Sequence, residues 1–97
     1  MYLVTLNKQA QKDFKKLKQA GLSKKAGQLV SIVEQNPFQS PPPYEGLVGN
    51  FTGLFSRRIN LKHRFVYKVV EEPVTVDDID YDGTVVIVSL WSHYESL

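Results

Sequence analysis

The hydrophobic period of the sequence changes near residue 36, and this change constrains the fold more than any other feature. After a short β-branched run at 2–6, apolar residues recur every three or four positions as far as residue 35, as in amphipathic helices. From residue 54 onward they form short or alternating runs, as in β-strands. This order predicts an α+β, two-layer fold in which an N-terminal strand and a helical hairpin pack on a mainly antiparallel sheet.

Polar and conformationally special residues predict where the two helices begin and end. Asn7 favours the N-cap of the first helix, and Gly21 suits the position just after its last turn. Ser23 is predicted to cap the second helix, and Pro37 to end it. Because the connection between the helices is short, we expect a helical hairpin on one face of the sheet.

The second half of the chain is predicted to hold a loop and then four strands. Residues 36–50 are rich in Pro and Gly and are expected to form an ordered surface loop without regular structure. Strand-like runs follow at 54–60, 64–70, 74–81 and 84–91. Asp82-Gly83 is typical of a two-residue hairpin turn between the last two runs. The last run is the most apolar, so we expect it inside the sheet.

Composition narrows the class of protein. The 97 residues include no cysteine, which excludes disulfides, thiol catalysis and cysteine-based zinc sites, while 42% hydrophobic residues suffice for a core. We therefore expect one domain over 1–97. His63 and His93 are the only histidines, so we expect no metal and no other cofactor. Without an apolar run of about 20 residues or a signal-peptide pattern, we expect a soluble cytoplasmic protein that does not bind membranes.

The charges are unevenly divided along the chain. Residues 1–68 contain all 12 Lys and Arg and only three acidic residues, whereas residues 69–97 contain seven acidic residues and no Lys or Arg. The overall charge of +2 thus conceals a strongly basic part and an acidic part. A basic surface of this kind favours a polyanionic partner.

All three arginines, Arg57, Arg58 and Arg64, lie within eight residues of one another. Guanidinium groups bind phosphate oxygens in a bidentate manner that lysine cannot match, so the clustering favours a phosphate site. Successive residues of a strand face opposite sides of the sheet, so we expect at most one of Arg57 and Arg58 to face such a site.

Four segments together resemble a known family. They are Asn36-Pro37-Phe38, the stretch GLFSRRIN at 53–60, the stretch HRFVY at 63–67, and the terminal His93-Tyr94. In this order they resemble the YoeB/Txe toxins of the RelE superfamily, which are bacterial toxin–antitoxin proteins that cut messenger RNA on the ribosome. The resemblance covers nearly the whole chain and implies a single RelE-like toxin domain.

The resemblance places the family's catalytic residues on Glu45, Arg64, His93 and Tyr94. Cleaving RNA without a metal needs a base for the 2′-hydroxyl, an acid for the departing 5′-oxygen and a cation at the phosphorus. We assign Glu45 as the base, His93 as the acid, Arg64 as the stabilising cation and Tyr94 as an orienting or stacking group. The labels of base and acid could be exchanged.

Additional RNA contacts are expected from basic residues near the arginine cluster, namely Arg57, Arg58, Lys62 and Lys68. The chain departs from the family where Val48 and Gly49 replace polar residues of many relatives, which removes positive charge near the scissile phosphate. It also has a longer acidic segment at 71–82.

The partners implied by the resemblance are a YefM-type antitoxin, the ribosome and mRNA, while a homodimer is compatible with it but not fixed by the sequence. Two other functions remain open at this stage. One is a ParE-like toxin that inhibits a topoisomerase by binding, and the other is a non-catalytic RNA-binding domain. The presence of Glu45 together with His93 and Tyr94 favours the nuclease.

Overall fold

The computed structural model describes residues 1–91, so that His93 and Tyr94 lie outside the described residues. Its helices are α1 (Lys8–Gln19) and α2 (Ser23–Gln35), and a 3₁₀ turn spans Gly49–Phe51. Its strands are β1 (Leu3–Leu6), β2 (Tyr44–Gly46), β3 (Leu54–Arg58), β4 (Arg64–Val70), β5 (Val74–Val76), β6 (Ile79–Tyr81) and β7 (Thr84–Ser89). Neither helix is long and apolar enough to cross a membrane.

Five of the strands form one sheet in the order β1-β7-β4-β3-β2, and β5 pairs with β6 in a separate hairpin. Within the large sheet β1 is parallel to β7, while the other neighbours are antiparallel. The α+β architecture with a mainly antiparallel sheet is therefore confirmed. The apolar β7 lies between β1 and β4, as expected for a strand inside the sheet.

The helices cover one face of the sheet, and basic side chains of β4 lie on the other face. The core between the layers consists of fully or almost fully buried residues: Ala10, Leu17, Ala26, Leu29, Val33, Phe65, Tyr67, Val85 and Ile87. Since neighbouring residues of a strand point to opposite sides, Arg64 and Lys68 of β4 lie on the face away from the helices. Two of the basic side chains predicted to act on RNA thus lie on the sheet face that the helices do not cover.

The helix boundaries agree with the sequence prediction except at one cap. The Asn7 side chain accepts a hydrogen bond from the Ala10 amide at 2.8 Å, and Gly21 has the expected positive φ of 74°. Ser23, however, is the first residue of α2 rather than its cap. Leu22 occupies the N-cap and provides no side-chain hydrogen bond. The prediction that Ser23 caps this helix is wrong by one residue.

The predicted hairpin turn at Asp82-Gly83 is also wrong. The turn lies at Asp77-Asp78, whose φ values of 52° and 66° suit a tight hairpin between β5 and β6. Thr84 and the residues after it pair instead with β4 and β1. Gly83 serves a different purpose, because a Cβ at this position would collide with the Val70 carbonyl oxygen. The turn-like dipeptide marks a close backbone approach.

Candidate active site

The Pro-rich segment ends in a strand that the sequence did not predict, and this strand carries Glu45. Residues Tyr44–Gly46 form β2 at the edge of the sheet, where Glu45 lies opposite Ser56 of β3. The next pairing in the sheet sets Ser56 opposite Val66 of β4, two residue pairs from Arg58 opposite Arg64 and therefore on the same face. Glu45 is thereby placed on the face of the sheet away from the helices, where an irregular loop would have left its direction undefined.

Glu45 and Arg64 form an ion pair on this face. The Arg64 Nη2 donates to Glu45 Oε1 at 2.8 Å, and the Arg64 Nε donates to the Ser56 hydroxyl at 2.8 Å. The arginine side chain is 13% exposed and the glutamate side chain 57% exposed. The hydrogen bond to Ser56 therefore fixes the orientation of Arg64, while its carboxylate partner, Glu45, faces solvent. Because more than half of the glutamate side chain is exposed, solvent weakens its attraction for Arg64, and a phosphate can replace it.

The pair lines a groove of about 440 Å³ whose walls also include Pro43, Tyr44 and Arg58. Arg58 is exposed and brings a second guanidinium to the same groove. Lys68 is exposed on the same face, four residues along β4 from Arg64, and Lys62 is exposed in the turn before β4. The structure thus brings together Glu45, Arg58 and Arg64, with the two lysines farther along the strand and in the turn.

Arg57 has a different role from the one that the sequence suggested. Its side chain is fully buried on the helix side of the sheet, where an RNA phosphate cannot reach it. The guanidinium donates to the carbonyl oxygens of Pro37 at 3.0 Å, Gln39 at 2.8 Å and Pro42 at 2.7 Å. Its Nε donates to the Tyr67 hydroxyl at 3.1 Å, and this hydroxyl donates to Pro37. The expectation that Arg57 contacts RNA is therefore wrong.

The composition of the Pro-rich segment explains why Arg57 is buried. Prolines have carbonyl acceptors but no N–H donor, so a segment rich in proline cannot satisfy its buried carbonyl groups by its own backbone. Arg57 supplies several donors from a single side chain and ties residues 37–42 to the sheet directly before β2. Burial raises the pKa of Tyr67, and the nearby Arg57 opposes this effect without cancelling it. The raised pKa keeps the phenol neutral within this network.

A second buried charge, Asp13 of α1, holds the end of β7. Its Oδ2 accepts hydrogen bonds from the backbone amides of Leu90 at 2.9 Å and Trp91 at 3.3 Å, and Gln9 donates to its Oδ1 at 2.8 Å. As a lone acidic residue in a Lys-rich helix, Asp13 was not predicted to have this role, although the helical spacing contained a signal for it. Its signal was its place three residues after Ala10 and four before Leu17, on the buried stripe.

Trp91 is also fixed by contacts of its ring. The indole stacks on the His63 imidazole with ring centres 4.0 Å apart, and the Lys16 ammonium lies 5.9 Å from the ring centre. Burial lowers the pKa of His63, the neighbouring Lys62 adds to this effect, and Asp13 opposes it. His63 thus braces the end of β7 beside Arg64. His93 and Tyr94, the remaining predicted site residues, follow Trp91 in the chain and lie outside the described residues.

Comparison of the sequence with known protein families identifies the family of this chain. A family profile described as "YoeB-like toxin of bacterial type II toxin-antitoxin system" matches residues 6–94, which is most of the chain. The chain belongs to this YoeB-like toxin family. The resemblance carried by the SRRI and HRFVY segments is therefore confirmed.

Individual relatives agree with the family. The chain is 30% identical over 60 residues to Toxin YoeB of Streptomyces coelicolor, covering 62% of this chain and 71% of that protein. It is 34% identical over 53 residues to Toxin YoeB of Escherichia coli K12, covering 55% of this chain and 63% of that protein. The sequence match to the latter relative thus spans less than two thirds of its length.

Solved structures extend the similarity over the whole fold. The YoeB dimer of Staphylococcus aureus matches with a TM-score of 0.71 and 32% identity, covering 96% of this chain and 98% of that chain. The YoeB/ParE toxin of Agrobacterium tumefaciens matches with a TM-score of 0.78 and 23% identity, covering 95% of this chain and 99% of that chain. At this lower identity the second similarity concerns the fold alone.

Proposed function

We propose that this YoeB-family toxin is a ribosome-dependent endoribonuclease that cleaves messenger RNA and thereby inhibits translation. The observation that carries the proposal is the Glu45–Arg64 pair on the open face of the sheet, with Arg64 oriented by Ser56. It brings together a base and a phosphate-binding cation in one groove. The expectation from the family resemblance assigned these same two residues to catalysis.

The chemistry follows from the contacts of Arg64. A scissile phosphate entering the groove replaces Glu45 as the acceptor for the Arg64 guanidinium, since phosphate oxygens match its two parallel donors. The freed Glu45 carboxylate then takes the proton of the 2′-hydroxyl, whose oxygen attacks the adjacent phosphorus. Arg64 and Arg58 stabilise the negative charge that develops on the phosphorane oxygens. The bond to the 5′-oxygen breaks, which leaves a 2′,3′-cyclic phosphate.

The departing 5′-oxygen needs a proton, and we propose His93 as its donor with Tyr94 as an orienting or stacking group. Trp91 is held against His63, the residue next to Arg64. His93 follows this anchor by two residues in the sequence, and its assignment as the acid comes from the family resemblance. The exchange of base and acid between Glu45 and His93 remains open within this proposal.

The test is cleavage of mRNA on purified translating ribosomes, mapped by primer extension. Glu45→Gln is expected to lower kcat by about 10²–10⁴-fold, because the amide cannot accept the 2′-hydroxyl proton. His93→Gln is expected to have a comparable effect, and both variants should still bind ribosomes. Glu72→Gln, an exposed carboxylate after β4, is the matched control and should cleave like the wild-type protein.

Other outcomes of this assay, combined with a separate DNA-supercoiling assay, identify the competing functions. Arrest of ribosomes without new RNA ends indicates a non-catalytic RNA-binding domain. Normal translation together with inhibition of DNA supercoiling indicates a ParE-like topoisomerase inhibitor. Wild-type cleavage by both Glu45→Gln and His93→Gln overturns the assigned roles, whichever of the two residues is the base.

We further propose a YefM-like antitoxin as the partner that neutralises the toxin. A solved YoeB–YefM complex of Staphylococcus aureus matches this chain with a TM-score of 0.70 and 30% identity. Homodimer formation is proposed from the solved YoeB dimer of the same organism. The proposed substrate locates the activity in the cytoplasm, where ribosomes translate mRNA.

A further inference from the structure

A second groove adjoins the Glu45–Arg64 groove and has a different character. It has a volume of about 430 Å³ and is lined by Lys25, Pro42, Pro43, Arg58, Ile59, Asn60 and Leu61. The two grooves share Pro43 and Arg58 among their lining residues, so they are neighbours on the surface. A polymer bound with one phosphate at Arg64 can therefore place an adjacent residue in the second groove.

The walls of the second groove are apolar and fixed in position. On one side the Pro42 carbonyl accepts a hydrogen bond from the buried Arg57 at 2.7 Å, which ties this wall to the core. On the other side Leu61 is 92% exposed, at the tip of the turn between β3 and β4. The Asn60 side chain accepts hydrogen bonds from the amides of Lys62 at 2.9 Å and His63 at 2.7 Å, which holds this turn.

Two cations border these apolar walls. Arg58 lies at the junction of the two grooves, and Lys25 reaches the second groove from α2. An apolar surface between cationic groups fits a nucleotide, since a nucleobase has a flat apolar face and its phosphates are anionic. The Asn60 side-chain oxygen accepts two backbone hydrogen bonds and so holds the turn that carries Leu61.

We propose that the second groove binds the nucleobase adjacent to the scissile phosphate of single-stranded RNA, with Leu61, Pro42 and Pro43 packing on the base and Lys25 and Arg58 binding flanking phosphates. The proposal rests on the proposed function for the position of the scissile phosphate. Because the contacts to the base are apolar, the groove increases affinity for RNA with little preference among bases.

The test measures binding of a short single-stranded RNA whose 2′-hydroxyl at the scissile position is replaced by hydrogen, so that the wild-type protein cannot cut it. Leu61→Ser is expected to raise the Kd by about 5–10-fold, because the variant loses apolar area that the base would otherwise cover. Ile79→Ser is the matched control, because Ile79 is also an exposed apolar side chain, at 48%, but belongs to β6 and does not line either groove. The control should leave the Kd within about twofold, as expected for a surface change away from the site.

A second RNA that lacks the base next to the scissile position identifies the contact partner of Leu61. Removing this base should weaken binding to the wild-type protein and to Ile79→Ser, but have little further effect on Leu61→Ser, because the two changes delete the same contact. Additive effects of the two changes overturn the proposal. So does an absence of RNA binding by the wild-type protein, or an effect of Leu61→Ser on antitoxin binding alone, which would make the groove a protein-docking surface.

The same variants keep this proposal separable from the nuclease proposal. In the ribosome assay, Leu61→Ser is expected to raise KM with an unchanged kcat and an unchanged pH profile, since Leu61 takes no part in proton transfer. If the wild-type protein binds RNA in a Leu61-dependent way but does not cleave mRNA, the nuclease function fails and the subsite stands. If it cleaves mRNA while Leu61→Ser and Ile79→Ser behave alike, the subsite fails and the nuclease function stands.

Discussion

Arg57 and Arg58 are chemically identical neighbours that the sheet separates into two different roles. Arg57 faces the helices and is fully buried, with its donors directed at backbone carbonyls of the Pro-rich segment. Arg58 faces the opposite side and lines the candidate active site. One arginine therefore holds the segment that leads to Glu45, and the other is available for the phosphate. The expectation that at most one of the two faces the site agrees with this arrangement.

Replacing Arg57 by lysine tests this positioning role. A lysine keeps the positive charge but has a single ammonium, which cannot reach three carbonyl groups as the planar guanidinium does. We expect Arg57→Lys to lower the free energy of unfolding by about 3 kcal/mol, measured by urea denaturation. Arg58→Lys is the control and should change it by less than about 0.5 kcal/mol. Equal effects of the two substitutions would contradict the assignment.

At the scale of elements, α1 and β7 are joined by one buried carboxylate. Asp13 accepts from the amides of Leu90 and Trp91, where β7 has ended and its ladder no longer supplies acceptors. This contact defines the direction in which the chain leaves the sheet. The same helix has an exposed face rich in lysine, so that α1 both anchors the strand and contributes to the basic surface.

We expect Asp13→Asn to loosen the end of β7. The asparagine side chain is neutral and accepts through only one oxygen, so the hydrogen bonds to Leu90 and Trp91 weaken. Hydrogen exchange of these two amides should become at least about tenfold faster, which corresponds to about 1.4 kcal/mol of lost protection. Gln9→Ala removes only the exposed donor to Asp13 and should leave both exchange rates within about twofold.

The elements that the sequence predicted well are those defined by local patterns. Apolar spacing and the Asn7 and Gly21 signals defined α1, and a β-branched run gave the bounds of β4 at Arg64 and Val70. The sequence failed where the structure depends on distant pairing. Asp82-Gly83 has the local chemistry of a hairpin turn, but β7 pairs with β4 and β1, and β2 exists only because β3 offers it an edge.

The candidate site also contains features that the sequence predicted and features that depend on distant pairing. Glu45 and Arg64 were named by resemblance to a family, and the register of β2, β3 and β4 then brought them to 2.8 Å. Their distance could not be derived from spacing, since 19 residues separate them in the chain. The buried roles of Arg57 and Asp13 depend on carbonyl and amide groups of other elements, so composition alone assigned one to RNA and overlooked the other.

At the scale of the whole molecule, the unequal charge distribution has a spatial counterpart. The acidic segment forms the β5–β6 hairpin and follows the end of β4 at Val70, whereas Arg64 begins the same strand. Seven residues of strand separate the two ends by about 20 Å, which is more than twice the Debye length at physiological ionic strength. Charges at the Val70 end of β4 are therefore strongly screened at Arg64.

Neutralising the hairpin tests this separation. Asp77→Asn and Asp78→Asn remove two charges while preserving the turn, because asparagine tolerates the positive φ that both positions adopt. At about 0.15 M salt we expect KM and kcat for mRNA cleavage to stay within about twofold of the wild-type values, since screening at this distance is nearly complete. Neutralising Arg58 and Lys25 by Gln is the comparison at the near end and should weaken RNA binding and reduce its dependence on salt. A severalfold rise in cleavage on neutralising the hairpin would instead make the acidic segment an electrostatic brake on the toxin.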